Sequence, residues 1–283
     1  VIGVLWEWAS DLLLLSRIRE WGVHLLANVL VSISCLSAAR TDLSEFCFFL
    51  GVVTVHYGCV LAFCYLLNDW TDREVDLRQG KKKSTRSLPL GWLTAILVTL
   101  IIIGLGVLVC IKLTVPIAVL AAVSVVGSVA YSVRPMRLKE RGIWGVLAAA
   151  ILQRVPVFVI FALLVSVSVT VTVYVCAWLS LLGLIFILEH QIEDWPADSA
   201  HGVKTLVVDI GIARGAALRR YVYVGFLLCV VIPPGLYLLE TQGSLPQLTF
   251  VIPMTVLSSI GISLFCLRYH RNDGTNHRTG AGW

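Results

Sequence analysis

Apolar residues run along this chain in long blocks separated by short polar interruptions. Eight blocks, near 21–39, 44–67, 92–112, 114–133, 143–165, 168–190, 216–239 and 249–269, approach or exceed the length an α-helix needs to cross the hydrocarbon core of a bilayer, about 20 residues. None alternates with the period of two that a membrane strand requires, so a barrel is excluded. The pattern predicts an all-α polytopic bundle over 21–269, followed by a polar tail at 270–283. Residues 1–20 read differently, because Trp6, Glu7, Trp8, Asp11, Arg17 and Arg19 surround the run Leu12 to Leu15. That mixture predicts an interfacial or first membrane helix and is too charged for a cleavable signal core. The chain opens on Val rather than Met, which suggests trimming.

Composition points the same way. Of 283 residues 58% are hydrophobic and 14% charged, with a mean hydropathy of +0.88, against about 45–50% and 25% in an ordinary soluble domain. So much apolar surface does not fit inside one compact core, which excludes a soluble enzyme and makes the lipid bilayer the first partner. The eight cysteines lie in apolar stretches without framework or C-x-x-C spacing, as reduced packing residues do. The net charge of +5 is modest, and its distribution says more than its size; no nucleic-acid partner is expected. With the N-terminus inside, every Lys and Arg except Arg40, Lys112 and Arg154 falls in inner segments. This obeys the positive-inside rule and predicts a multi-pass protein of the cell membrane with cytoplasmic termini.

Outer connections are short, whereas the inner segments 68–91, 131–142 and 189–215 are charged, so function is expected on the cytoplasmic face. The first reads Asn68-Asp69-Trp70-Thr71-Asp72-Arg73-Glu74-Val75-Asp76. On a continued helix Asn68, Asp72, Asp76 and Asp69 fall at roughly 0°, 40°, 80° and 100°. Three carboxylates and an amide on one face need a cation, and hard oxygen donors without His or Cys suit Mg²⁺. The second acidic segment carries Gln191, Asp194 and Asp198, the two carboxylates at i,i+4, with Pro196 predicting a kinked or frayed helix end. Basic residues follow: Lys81 to Lys83 and Arg86, then Arg134, Arg137, Lys139 and Arg141, then Lys204 after Gly202. Carboxylate-bound metal beside fixed cations is what a polyphosphate requires, and an apolar bundle behind them can hold its lipid tail.

These motifs resemble the UbiA superfamily of intramembrane prenyltransferases. The likeness rests on Asn68-Asp69-x-x-Asp72-Arg73-x-x-Asp76, Tyr131-Ser132-x-x-Pro135-x-Arg137-Leu138-Lys139, Asp194-x-x-x-Asp198 and Gly202-x-x-Thr205-Leu206. It implies nine helices around a central cavity, one more than hydropathy gives, and an Mg²⁺-assisted ionisation of a prenyl diphosphate whose allylic cation alkylates an aromatic or other lipophilic acceptor. On this chain it implies Asn68, Asp72 and Asp76, supported by Asp69, as one metal set and Asp194 and Asp198 as the other. It implies Arg73, Arg137, Lys139 and Lys204 around the diphosphate, and Asp72, Asp194 and Tyr131 as the residues at the chemistry. Many members carry an Asp where this chain has Gln191, whose amide oxygen can ligate Mg²⁺ without adding charge.

Each feature has a plainer reading. An acidic run at a helix end is often a solvated cap, and Lys81 to Lys83 suit anionic headgroups. Arg154, mid-span, should face the cavity and pair, since a charge there costs about 2.5–3.5 kcal/mol on insertion scales. His24 and His56 read as satisfied polar residues between helices. Two other function classes stay in view: a terpene cyclase of the same superfamily, in which the cation closes on itself, and a cation-coupled transporter. Acids clustered at one face rather than at the midplane argue against transport.

Overall fold

The computed structural model describes residues 18–78 and 89–240, and these form helices and turns with no strand among them. The helices are α1 (Ile18–Ser34), α2 (Leu43–Thr71), α3 (Arg73–Arg78), α4 (Leu90–Gly106), α5 (Val115–Ser132), α6 (Ile143–Leu152), α7 (Val155–Leu164), α8 (Val169–His201), α9 (Leu206–Ile210) and α10 (Ile212–Glu240). Five segments are long and apolar enough to cross a membrane: Leu43–Thr71, Leu90–Cys110, Val115–Ser132, Ile143–Leu164 and Val169–His201, with Trp21–Ser34 as a shorter apolar helix. With α10 they account for every expected block except 249–269. That block lies outside the described residues, as do residues 1–17, Lys81 to Lys83, Arg86 and the tail.

The outer surface is as apolar as the interior. Trp92, Ile102, Val109, Val126 and Val173 are exposed, while Phe158, Phe161, Val165 and Leu179 are fully buried among Phe46, Val175 and Trp178. A helix that is apolar all round and still exposed needs lipid as its solvent, so the protein is an integral membrane protein. Inside, aromatic side chains interlock: the Phe46 and Phe161 rings meet edge to face with centroids 5.3 Å apart, and Trp178 packs on Phe226 at 5.5 Å. His56 gives its Nδ1 to the Gly104 carbonyl at 2.7 Å, tying α2 to α4. The cysteines described are free thiols.

Two helices outrun the membrane, and their overhang positions the site. At 1.5 Å per residue α2 is about 44 Å long and α8 about 50 Å, against a hydrocarbon core of about 30 Å. Both start at the same end of the bundle, where the Arg40 amide donates to the Val165 carbonyl at 3.0 Å and joins the α1–α2 connection to the α7–α8 turn. Asp42 caps α2 and Ser168 caps α8 through their side chains. Twenty residues on, each helix leaves the apolar zone, and the acidic motifs sit on the overhangs.

Two local expectations are corrected. Pro196 does not fray the second motif: α8 is helical through to His201 and stops at Gly202, whose left-handed backbone (φ 68°) closes the end while Val203 N–H returns to Asp198 O at 2.9 Å. Pro196 is exposed and near the helix end, where one lost backbone bond disturbs little. Conversely, the apolar run 143–165 is not one helix. It breaks at Gln153 and Arg154, because Pro156 in the first turn of α7 offers no N–H to the preceding carbonyls.

Candidate active site

The first acidic motif is held by the turn that follows α5, more than sixty residues away in sequence. α2 ends at Thr71, and Asp72 forms the joint to α3, its N–H bonding Asn68 O at 3.0 Å and its O accepting from Asp76 N at 2.8 Å. The helical path thus continues almost unbroken, which keeps Asn68, Asp72 and Asp76 near one face as their spacing predicts. Asp69 and Asp76 are buried, 2% and 7% exposed, and Asp72 is partly so.

The turn from Val133 to Gly142 brings the cations. Lys139 Nζ donates to Asp72 Oδ1 at 2.5 Å, to Asn68 Oδ1 at 2.7 Å and to Thr71 Oγ1 at 3.4 Å. Arg137 Nη2 donates to the same Asp72 oxygen at 2.8 Å and Nη1 to the Thr71 carbonyl at 3.3 Å, while its Nε pairs with Glu140 at 2.6 Å. Ser132 Oγ adds a 3.4 Å contact to Asn68 Oδ1. Arg137 takes a left-handed backbone (φ 37°, ψ 58°), a conformation that costs a non-glycine residue about 1–3 kcal/mol. Three side-chain contacts and the Arg137 N–H to Val133 O bond at 2.9 Å hold it there. Arg141, expected among the site's cations, instead staples the turn by donating to the Met136 and Pro135 carbonyls. Burial lowers the Lys139 ammonium below its usual range, and the Asp72 carboxylate opposes that shift.

Gly145 lets this turn lie against α6, since a Cβ there would meet the Leu138 carbonyl at 2.5 Å. α6 in turn packs on α8 and α9, and Gly142 approaches the Asp209 carboxylate. The basic turn therefore stands between the first acidic motif and the elements carrying the second. There Asp194 is partly exposed, 3.4 Å from His190 Nε2, and Asp198 is buried at 7%. Glu189 is ion-paired with Arg219 of α10. Gln191, expected as a metal ligand, is 5% exposed and accepts the Val207 N–H at 3.3 Å. This bond moors α9 on α8 and uses one of the two lone pairs on the amide oxygen. Thr205 caps α9 through Val208 N, and Lys204 beside it is exposed, as is Arg73 at the start of α3. Tyr131, in the last turn of α5, lies within electrostatic reach of Asp72, Tyr65 and Cys64.

Among the described residues no three His, Cys, Asp or Glu side chains converge as a ready-made metal cage. Mg²⁺ seldom uses one; it takes one or two carboxylates and fills its shell with water and phosphate oxygens. Buried carboxylates at 69, 76 and 198 and partly exposed ones at 72 and 194 fit that habit. Sequence reasoning missed Glu140, Thr71 and Arg219. Only Glu140, three residues from Arg137, left a local signal.

The structure thus defines a polytopic all-α membrane bundle with acidic and basic side chains clustered on its helix overhangs. The comparisons agree: residues 25–278 match the model of the UbiA prenyltransferase family, and the chain belongs to that family. A UbiA homolog from Archaeoglobus fulgidus bound to DMAPP and Mg²⁺ superposes with a TM-score of 0.65 at 15% identity, covering 89% of this chain and 85% of that one. The same homolog bound to GPP and Mg²⁺ gives 0.62 at 14% identity, covering 90% and 86%. A digeranylgeranylglyceryl phosphate synthase structure gives 0.60 at 19% identity over 92% and 93%. No curated protein matches the chain significantly by sequence.

Proposed function

We propose that this protein is an Mg²⁺-dependent membrane prenyltransferase that ionises a prenyl diphosphate at the motif end of the bundle and transfers the prenyl group to an aromatic or other lipophilic acceptor. The observation that carries the reading is Asp72 bound by both Lys139 and Arg137 where α2 emerges from the apolar bundle. A carboxylate and two cations so placed can part around a diphosphate, the cations moving to phosphate oxygens and the carboxylate to metal.

Asn68, Asp69, Asp72 and Asp76 on one side and Asp194 and Asp198 on the other would hold Mg²⁺, which when bound neutralises the diphosphate charge that grows as the leaving group departs. Lys139 and Arg137 supply fixed positive charge to the same leaving group, and preorganised charge in a water-poor site is worth most. Arg73 and Lys204, both exposed, suit the entering diphosphate at longer range. Tyr131 offers a ring face near the reacting carbon, a cation–π contribution of about 0.5–2 kcal/mol. The apolar bundle shields the cation from water until the acceptor attacks. The positive-inside pattern supports a cytoplasmic position for this end.

The test is purified protein in lipid nanodiscs with geranyl diphosphate, with and without Mg²⁺, and with a panel of phenolic and lipid-alcohol acceptors. Mg²⁺-dependent diphosphate release with a prenylated acceptor by mass spectrometry is the expected result. Cyclic hydrocarbon formed without any acceptor would reassign the protein as a cyclase, and no diphosphate release with any donor length would reject the reading.

A further inference from the structure

Below the charged mouth a second polar chain crosses the bundle, and the function proposed above does not use it. Arg154, at the break between α6 and α7, is 1% exposed. Its Nη2 reaches His24 Nδ1 of α1 at 2.5 Å, its Nη1 reaches the Ala149 carbonyl at 3.5 Å, and the guanidinium lies 5.7 Å from the Phe186 ring centroid. His24 Nε2 is in turn 3.1 Å from Tyr65 Oη of α2. Room for the guanidinium comes from Gly183, where a Cβ would stand 2.8 Å from Arg154 Nη1 and 2.7 Å from the Ala150 carbonyl.

The chain has a direction. A guanidinium only donates, so the His24 Nδ1 facing it at 2.5 Å is the unprotonated nitrogen. The ring proton is then on Nε2, which donates to Tyr65 Oη. The longer 3.5 Å approach of Nη2 to Nε2 does not alter this order. Tyr65 therefore spends an oxygen lone pair on His24. It stands seven residues before Asp72, within about 20° of the same face of α2 and about 10 Å deeper. A diphosphate held at Asp72 would extend its first prenyl carbons toward that depth.

A phenol beside an allylic cation is ambiguous: its ring stabilises the cation, and its oxygen can capture it. Resting on the prenyltransferase reading, we propose that Tyr65 walls the reaction chamber and that Arg154 and His24 are positioning residues that keep its hydroxyl from being alkylated. His24 Nε2–H occupies the lone pair. Arg154 excludes the tautomer in which His24 would take the Tyr65 proton and turn the phenol into a nucleophile. In the suppressed reaction the C1–O bond to diphosphate breaks, a bond forms between Tyr65 Oη and C1, and the phenolic proton passes to His24 Nε2.

The experiment is incubation in nanodiscs with geranyl diphosphate and Mg²⁺ without acceptor, reading released diphosphate and the mass of the Tyr65 peptide. Unmodified Tyr65 is expected in the parent protein. Arg154→Met should accumulate a geranyl adduct on Tyr65, about tenfold more than His24→Phe, which removes the hydrogen bond without supplying a base. Arg154→Met combined with Tyr65→Phe should show none. Diphosphate release by Arg154→Met with Tyr65 unmodified overturns this inference and leaves the prenyltransferase reading standing; no release by the parent protein when the acceptor panel is also supplied overturns that reading and this inference with it. If Arg154→Met does not fold, the adduct in His24→Phe decides, and its absence there alongside diphosphate release has the same meaning.

Discussion

The two acidic motifs look alike in sequence and differ in what holds them. At the first, Asp72 carries two cations, Lys139 and Arg137, from a turn whose own strain is fixed by those contacts. At the second, Arg219 of α10 pairs with Glu189, five residues before Asp194, and the amide of Gln191 moors α9 through Val207 N–H. The first motif is thus assembled by long-range charge and the second by one long helix and the short helix docked on it. The first should govern diphosphate and metal together, whereas the second should govern metal and local packing.

That contrast is broken most directly at Asp72. Asp72→Asn should lower Mg²⁺-dependent diphosphate release by about a thousandfold, the range seen when one preorganised charge partner is removed, and near-normal release would erase the distinction. Asp194→Asn should cost about a hundredfold, recovered in part by raising Mg²⁺. Equal loss at every Mg²⁺ concentration would make the motifs equivalent. Lys139→Ala should raise the KM for geranyl diphosphate by about tenfold to a hundredfold, as loss of a charge-assisted bond worth about 1.5–3 kcal/mol predicts, with acceptor KM unchanged. An unchanged donor KM would remove Lys139 from the diphosphate site.

The smaller effects sharpen the second motif. Gln191→Ala leaves the buried Val207 N–H without its acceptor and should destabilise the protein by about 1–3 kcal/mol, seen as a lower melting temperature in nanodiscs, with Mg²⁺ half-saturation unmoved. A shifted Mg²⁺ dependence at full stability would restore Gln191 as a ligand. Glu189→Gln should do least, about 1 kcal/mol or less, because its pair with Arg219 is partly open to solvent.

Much of this was legible along the chain. Apolar blocks of membrane length, the acids at 68–76 and 194–198 and the basic run at 134–141 are local facts, and a helix turns such spacing into a shared face without outside help. Arg154 was legible as a charge needing a partner, but His24, 130 residues away, was not. The motif resemblance singled out Arg137 and Lys139 over Arg141, but not that both would close on one oxygen of Asp72, a contact spanning more than sixty residues. Pro156 broke its helix while Pro196 did not, because a lost backbone bond matters in mid-span and little near an exposed end.

The sequence by itself determined the solvent, the helices, and which stretches bear the reactive oxygen and nitrogen atoms, because hydropathy and helical periodicity act over a few turns at a time. Tertiary structure alone decided which charges meet, which amide is spent on packing, and which way the protons point from Arg154 to Tyr65. Those depend on approaches of a few ångströms between helices remote in the chain, and at that range a single methyl group, absent at Gly145 and Gly183, decides whether the approach can happen.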